Sequence, residues 1–249
     1  MICILEHQTV PVLMVLPLDI KLGMMKRMCI PLSRKRTSLK NAAQQQLWCF
    51  IMLLISGLCT SQTVENSIKL GAHVGFSQQD IFPFNDADYT HTSRYIKLQV
   101  GKEVWEKELQ SLEVLIEPSV YFVEHQLLNL FFITPSTPNF AEQRDRFTQK
   151  RSFEEYALNL GLVYGYELTD RFKAYGMISI GPMTSTADTE RLKRGFSFSD
   201  ILGMGMRYQI GRLSYDIRFT LRHVSNANLR LPNSGHNSAG IEIGFLSSL

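Results

Sequence analysis

The chain has 249 residues, 45% of them hydrophobic, with 26 Lys/Arg against 23 Asp/Glu; this length suits one or two domains, and this apolar content excludes a disordered chain. The slight positive charge belongs to one end, because residues 1–62 hold seven of the basic and two of the acidic residues, leaving 19 against 21 for the rest. A mildly acidic folded part lacks the basic stripe that nucleic-acid binding requires.

In chain order, residues 1–23 have no clear periodicity and precede Met24, Met25 and Met28, any of which could start translation. Lys26, Arg27, Arg34, Lys35, Arg36 and Lys40 then form a basic stretch ahead of the twelve-residue apolar run Leu47–Leu58. That run is short for a membrane helix and is followed by small or polar residues, the pattern of a cleaved secretory signal, with Ser61 as the first cleavage site to test. Lipidation at Cys59 is the weaker reading, since Leu58 is a poor residue to precede a lipidated cysteine. Cys3, Cys29, Cys49 and Cys59 all lie in this leader, and a thiol-free remainder suits passage through an oxidising periplasm. The expected division is residues 1–62 as extension and signal, and 63–249 as the folded domain.

Beyond residue 63 no helical period stands out, and segments alternate with period two. Ile68, Leu70, Ala72, Val74 and Phe76 share one face; Ile96, Leu98 and Val100 follow; then Leu112, Val114, Ile116, Val120 and Phe122. Tyr156 to Leu168 alternates most cleanly, Phe172–Ala187 has ambiguous facing, and Leu202–Tyr208, Tyr215–Leu221 and Ala239–Phe245 complete eight strands. A soluble sandwich alternates too, so the pattern alone does not choose. Strand length and loop rhythm do. Several segments exceed ten residues, whereas soluble strands average about five or six and tilted membrane strands need about nine to eleven. Long connections (81–92, 127–151, 186–195, 227–235) alternate with short turns near 107–110, 169–171 and 211–212. Short turns on one side and long loops on the other define an all-β fold, an eight-stranded antiparallel transmembrane β-barrel of the bacterial outer membrane. Tyr95, Tyr156, Tyr166, Tyr208 and Tyr215 are expected in its aromatic girdles.

An eight-stranded barrel is just wide enough to be filled by side chains, so it is no wide pore. Its lumen should take the polar faces, including His73, Lys97, Glu113, Glu117, Arg207, Asp216, Arg218, Arg222 and Glu242, as a mutually paired network. The row Tyr215, Ile217, Phe219, Leu221 continues by parity into His223 and Ser225, and Asn237 likewise precedes Ala239, Ile241 and Ile243. These polar groups should therefore face outward at the long-loop rim, where a lipid arrives by diffusion in the leaflet. A Ser beside a His is the core of a nucleophile–base pair. His236 reads as loop surface. Asp200, on the apolar parity of the neighbouring strand, is an alternative carboxylate whose placement depends on register.

His223-Val224-Ser225-Asn226-Ala227, then Pro232-Asn233-Ser234-Gly235 before a final strand, resembles the outer-membrane lipid A 3-O-deacylase (acyloxyacyl hydrolase, PagL-like) family. Glu117-Pro118-Ser119 and the stretch Tyr175–Tyr208 are similar to it as well. The resemblance implies Ser225 as nucleophile, His223 as general base, Asn233 with local N–H groups as oxyanion stabilisers, and Asn226 and Gly235 in support. The family's best-known members carry Glu fourteen residues after the His, where this chain has Asn237. An Asn can orient the imidazole but cannot stabilise its cation by charge. A Ser–His–Asn arrangement of similar spacing in outer-membrane phospholipase A marks Asn as compatible with activity. The expected reaction is acyl transfer to water with no metal or cofactor, on lipid A or lipopolysaccharide in the outer leaflet. Phospholipase action and a non-catalytic structural or adhesive barrel are the alternatives, and monomer or homodimer stays open.

Overall fold

The computed structural model describes residues 68–249; the leader, signal and start-site expectations lie outside them. Eight strands, β1 (Ile68–Gln78), β2 (Tyr89–Lys107), β3 (Gln110–Leu127), β4 (Arg151–Thr169), β5 (Phe172–Ser185), β6 (Gly195–Ile210), β7 (Leu213–Ser225) and β8 (His236–Ser248), close into one ring. Every neighbour is antiparallel, and β1 seals the ring by pairing with β8 from Lys69↔Ser248 to Gln78↔Ala239. Closure leaves no strand edge unpaired, as a sheet without water at its rim requires.

Period-two patterning resolves as the sequence suggests. The outward rows are apolar and exposed, with Leu98, Leu160, Ile178, Leu202 and Ile241 all among the exposed large hydrophobics. So broad an apolar surface belongs against lipid hydrocarbon. β5, ambiguous in sequence, presents Ile178 and Ile180 outward and Tyr175, Met177 and Met183 inward. Tyr95 departs from the expected girdle: it is buried in the lumen, its hydroxyl donating to Glu242 at 3.1 Å. Its odd number places it in register with Lys97, and strand parity overrides the interfacial preference of its type.

Inside, opposite charges interlock. Arg218 spans Glu117 (2.6 Å) and Glu242, and Glu242 also receives Lys97 at 2.7 Å. Lower in the barrel, Arg207 binds Glu113 and Asp216, both at 2.8 Å, and Tyr175 donates to Asp216 at 2.6 Å. His73 and Glu117 belong to this network, His73 lying 3.8 Å from Asp216. Buried ions of this kind are tolerated because each meets an opposite charge and further hydrogen bonds.

The wall has unequal height. Nineteen residues of β2 extend about 60 Å, which at a ~40° tilt rises about 45 Å and clears a ~30 Å hydrocarbon core. The tops of β2–β4 accordingly carry outward Arg94, Glu124 and Glu154, with an exposed Lys150–Glu124 pair. β7 and β8 have thirteen residues each. The 127–151 connection, without a clear period in sequence, holds the short helix α1 (Phe140–Phe147). It buries Phe147 against Leu127 and Ile133, and the Arg144 guanidinium donates to the Ile133 carbonyl. Eight residues with one buried side chain leave too faint a 3.6-residue pattern to detect.

Candidate active site

Three strands set the site. Register places His223 of β7 opposite Asp200 of β6 on one side and opposite Asn237 of β8 on the other. Side chains directly across an antiparallel pair have Cβ atoms roughly 4.5–5.5 Å apart, so the imidazole is flanked by an Asp and an Asn. It engages the Asn: His223 Nδ1 lies 2.7 Å from Asn237 Oδ1. An amide oxygen only accepts, so Nδ1 carries the proton and Nε2 is left with its lone pair. Among the described residues no hydrogen bond or ion pair joins Asp200 to His223, and Asp200 Oδ1 is buried without a partner. Of the two candidates for the third position, the structure brings Asn237 to the ring and leaves Asp200 beside it.

Ser225 is the last residue of β7, half-buried and paired with Phe198. It shares the outward face with His223, two residues apart. Its hydroxyl makes no hydrogen bond to His223 among the described residues; catalytic hydrogen bonds in substrate-free structures are often long and close with substrate bound. At about 3.3 Å per residue and a ~40° tilt, His223 stands about 25 Å above Leu213 at the short-turn end, the height of the apolar band of such barrels. Below it a groove of about 370 Å³ runs over Ile178, Ile180, Leu202 and Leu221, with Phe84 from the first long loop beside it and Asp200, His223 and Asn237 as its polar lining.

The 226–235 connection is braced by the two supporting asparagines. Asn226 is fully buried, its backbone N–H donating to Asn233 Oδ1 at 2.6 Å and its side chain to the Arg230 carbonyl at 2.8 Å. Asn233 in turn donates to Asn228 Oδ1 at 3.0 Å. The structure thus commits the Asn226 N–H, the Asn233 Oδ1 and one of the two Asn233 Nδ2–H donors to holding the loop, and the second Nδ2–H has no partner among the described residues. Next along the chain Ala227 and Asn228 sit at φ +51° and +60°, a left-handed pair without glycine, and neither N–H has a hydrogen-bond partner among the described residues. Strained backbone beside a candidate nucleophile is the kind of outlier that points to function, and no sequence signal announces it. Gly235, at φ +65°, starts the return into β8; a Cβ there would meet the Val224 carbonyl oxygen at 2.4 Å. Arg191, which nothing in the sequence singled out, clamps this point: its backbone C=O accepts from Gly235 N–H and its Nε donates to the Gly235 C=O at 3.0 Å. His236, expected on the loop surface, is buried as the first residue of β8, because the strand begins one residue after Gly235 and parity turns it inward.

Fold and site together define a class: an eight-stranded barrel of the outer-membrane type with a His–Asn pair and a Ser on its lipid-facing rim. Residues 95–245 match the family model of the lipid A 3-O-deacylase (PagL), and the chain belongs to that family. Among solved structures, the crystal structure of the outer membrane enzyme PagL is 17% identical with a TM-score of 0.45, covering 71% of this chain and 97% of that one. Neisserial surface protein A (NspA) gives 10% and 0.42, covering 73% and 97%. Ail, the attachment invasion locus protein of Yersinia pestis, gives 12% and 0.35, covering 75% and 100%. A search among curated proteins finds no match.

Proposed function

We propose that this chain is an outer-membrane serine esterase that hydrolyses the ester-linked acyl chain at the 3 position of lipid A, after export directed by the signal in residues 1–62. The observation that carries the reading is the His223 Nδ1–Asn237 Oδ1 hydrogen bond at 2.7 Å, which fixes the imidazole as a base two residues from Ser225 on the lipid-facing rim. Nε2 takes the Ser225 proton as the hydroxyl attacks the ester carbonyl, and the same nitrogen returns it to the departing sugar oxygen. Water repeats the cycle in reverse and releases the fatty acid. The oxyanion needs N–H donors, and the second Nδ2–H of Asn233 together with the Ala227 and Asn228 N–H groups would supply them. The groove over Ile178, Ile180, Leu202 and Leu221 would lay the acyl chain along the outer wall.

Asn237 also admits a second reading, a phospholipase, since an uncharged third member serves that chemistry. Purified protein incubated separately with lipid A and with glycerophospholipid in mixed micelles distinguishes the two. Release of a 3-hydroxy fatty acid from lipid A, with phospholipid intact, is the expected result. Fatty acid released from phospholipid alone makes the protein a phospholipase, and an inert folded protein makes the barrel non-catalytic.

A further inference from the structure

Behind the catalytic rim, inside the barrel, a second group of side chains converges without a role in ester hydrolysis. His91 of β2, Glu155 of β4 and His236 of β8 each offer one ligand-type atom, and these three atoms lie within 4.8 Å of one another. All three side chains are buried. His91 Nε2, His236 Nε2 and Glu155 Oε1 each lack a hydrogen-bond partner among the described residues. Three buried polar atoms without hydrogen-bond partners, this close together, are costly unless something binds them.

A relay determines the protonation of this cluster. His125 Nε2 lies 2.9–3.0 Å from both carboxylate oxygens of Glu190, and His125 Nδ1 lies 3.2 Å from His91 Nδ1. A carboxylate accepts, so His125 holds its proton on Nε2, its Nδ1 accepts, and His91 donates from Nδ1. His91 Nε2 is thereby left as a bare lone pair, within 4.8 Å of the ligand atoms of Glu155 and His236. The rings of His91 and His236 stack with centroids 3.9 Å apart. Glu155 is likewise divided, Oε2 receiving Arg222 at 2.8 Å while Oε1 stands 3.6 Å from His236 Nε2.

We infer that His91, His236 and Glu155 form a binding site for a first-row divalent transition metal, Zn²⁺ being the simplest occupant, inside the long-loop end of the barrel. Two imidazoles and a carboxylate are a donor set that suits zinc, and ligand bonds of about 2.0–2.2 Å put tetrahedral donors about 3.4 Å apart. The His236–Glu155 separation of 3.6 Å is already close to that, while the His91 and His236 rings, stacked at 3.9 Å, would turn edge-on to the ion so that both in-plane Nε2 lone pairs reach it. The Glu190–His125–His91 chain is the outer-shell support that metal-bound histidines use to fix their tautomer. The site's role is structural: adjacent residues of a strand face opposite sides, so a metal on His236 inside pins the entry of β8 and with it Asn237 outside.

The full-length protein, purified in detergent and stripped of metal with a chelator, is titrated with Zn²⁺ and with Co²⁺ alone. One equivalent of Zn²⁺ at micromolar affinity, visible Co²⁺ absorption bands of nitrogen–oxygen coordination, and a raised unfolding temperature with Zn²⁺ are expected. His236→Ala and Glu155→Gln should abolish the Co²⁺ bands. His125→Leu, which leaves all three ligands in place, should weaken Zn²⁺ about 10–100-fold. Folded wild-type protein that takes up no Zn²⁺ at micromolar concentration overturns the site, whatever the variants do. So does Zn²⁺ binding that persists unchanged in a folded His236→Ala protein.

Discussion

At His223 the uncharged neighbour is the unusual feature. Asn237 fixes the tautomer as a carboxylate would, but when the imidazole becomes a cation in the transition state the amide dipole repays only part of the charge. Asn237→Glu should therefore raise kcat about tenfold, and Asn237→Ala should lower it by about 10²-fold or more, read as the rate of fatty acid release. Asp200 touches no ring nitrogen, so Asp200→Asn should leave kcat within about threefold; a collapse like that of Asn237→Ala would move the third role to Asp200. The shared outward face of His223 and Ser225 was legible in the sequence, because parity along one strand put both on the apolar row. The choice between Asn237 and Asp200 was not legible, since it depends on inter-strand register, and register places His223 between them. His236 was misread for the same reason: one residue in the start of a strand turns a side chain from solvent to lumen.

Among the connecting elements, the 226–235 connection is the most demanding. Gly235→Ala would add about 1–2 kcal/mol of left-handed strain and drive a methyl into the Val224 carbonyl at 2.4 Å. The variant should lose most activity while retaining the barrel's β circular dichroism. The preceding long loop offers a pH test. Partial burial pushes the Asp188 carboxyl up, but the Arg194 backbone N–H (2.8 Å) and Lys193 (3.2 Å) outweigh it and hold its pKa below the usual carboxylate value. A depressed folded-state pKa contributes stability that is complete above the unfolded value and is lost as pH falls through the folded one. Hydrogen-exchange protection of the Arg194 amide should accordingly fall once pH drops below about 4; protection that rises there would contradict this pairing. Loop positions were readable from the spacing of the strands, yet their inner structure was not. The left-handed Ala227–Asn228 pair and the Arg191 clamp arise from contacts across long sequence distances, which local pattern does not encode.

Across the described barrel, the strands' apolar rows face outward, and the lumen interleaves an ion-pair network with two apolar clusters, one around Tyr121 and Phe153 and one around Leu115 and Met177. Removing one partner leaves a buried charge unmatched, and Glu242→Gln, facing both Lys97 and Arg218, should cost about 3–5 kcal/mol in urea unfolding from lipid vesicles. The high β2–β4 wall and the lower β7–β8 wall put the candidate site where an acyl chain in the leaflet can meet it without leaving the hydrocarbon. That asymmetry joins fold to function. It is tested by mass spectrometry of lipid A from a Gram-negative host making the full chain or its Ser225→Ala variant, both verified as folded in the outer membrane. Loss of one 3-hydroxyacyl chain with the parent, and intact lipid A with Ser225→Ala, is the predicted result. Intact lipid A with both, or the same loss with both, would contradict the assignment of Ser225 as the nucleophile of a lipid A deacylase.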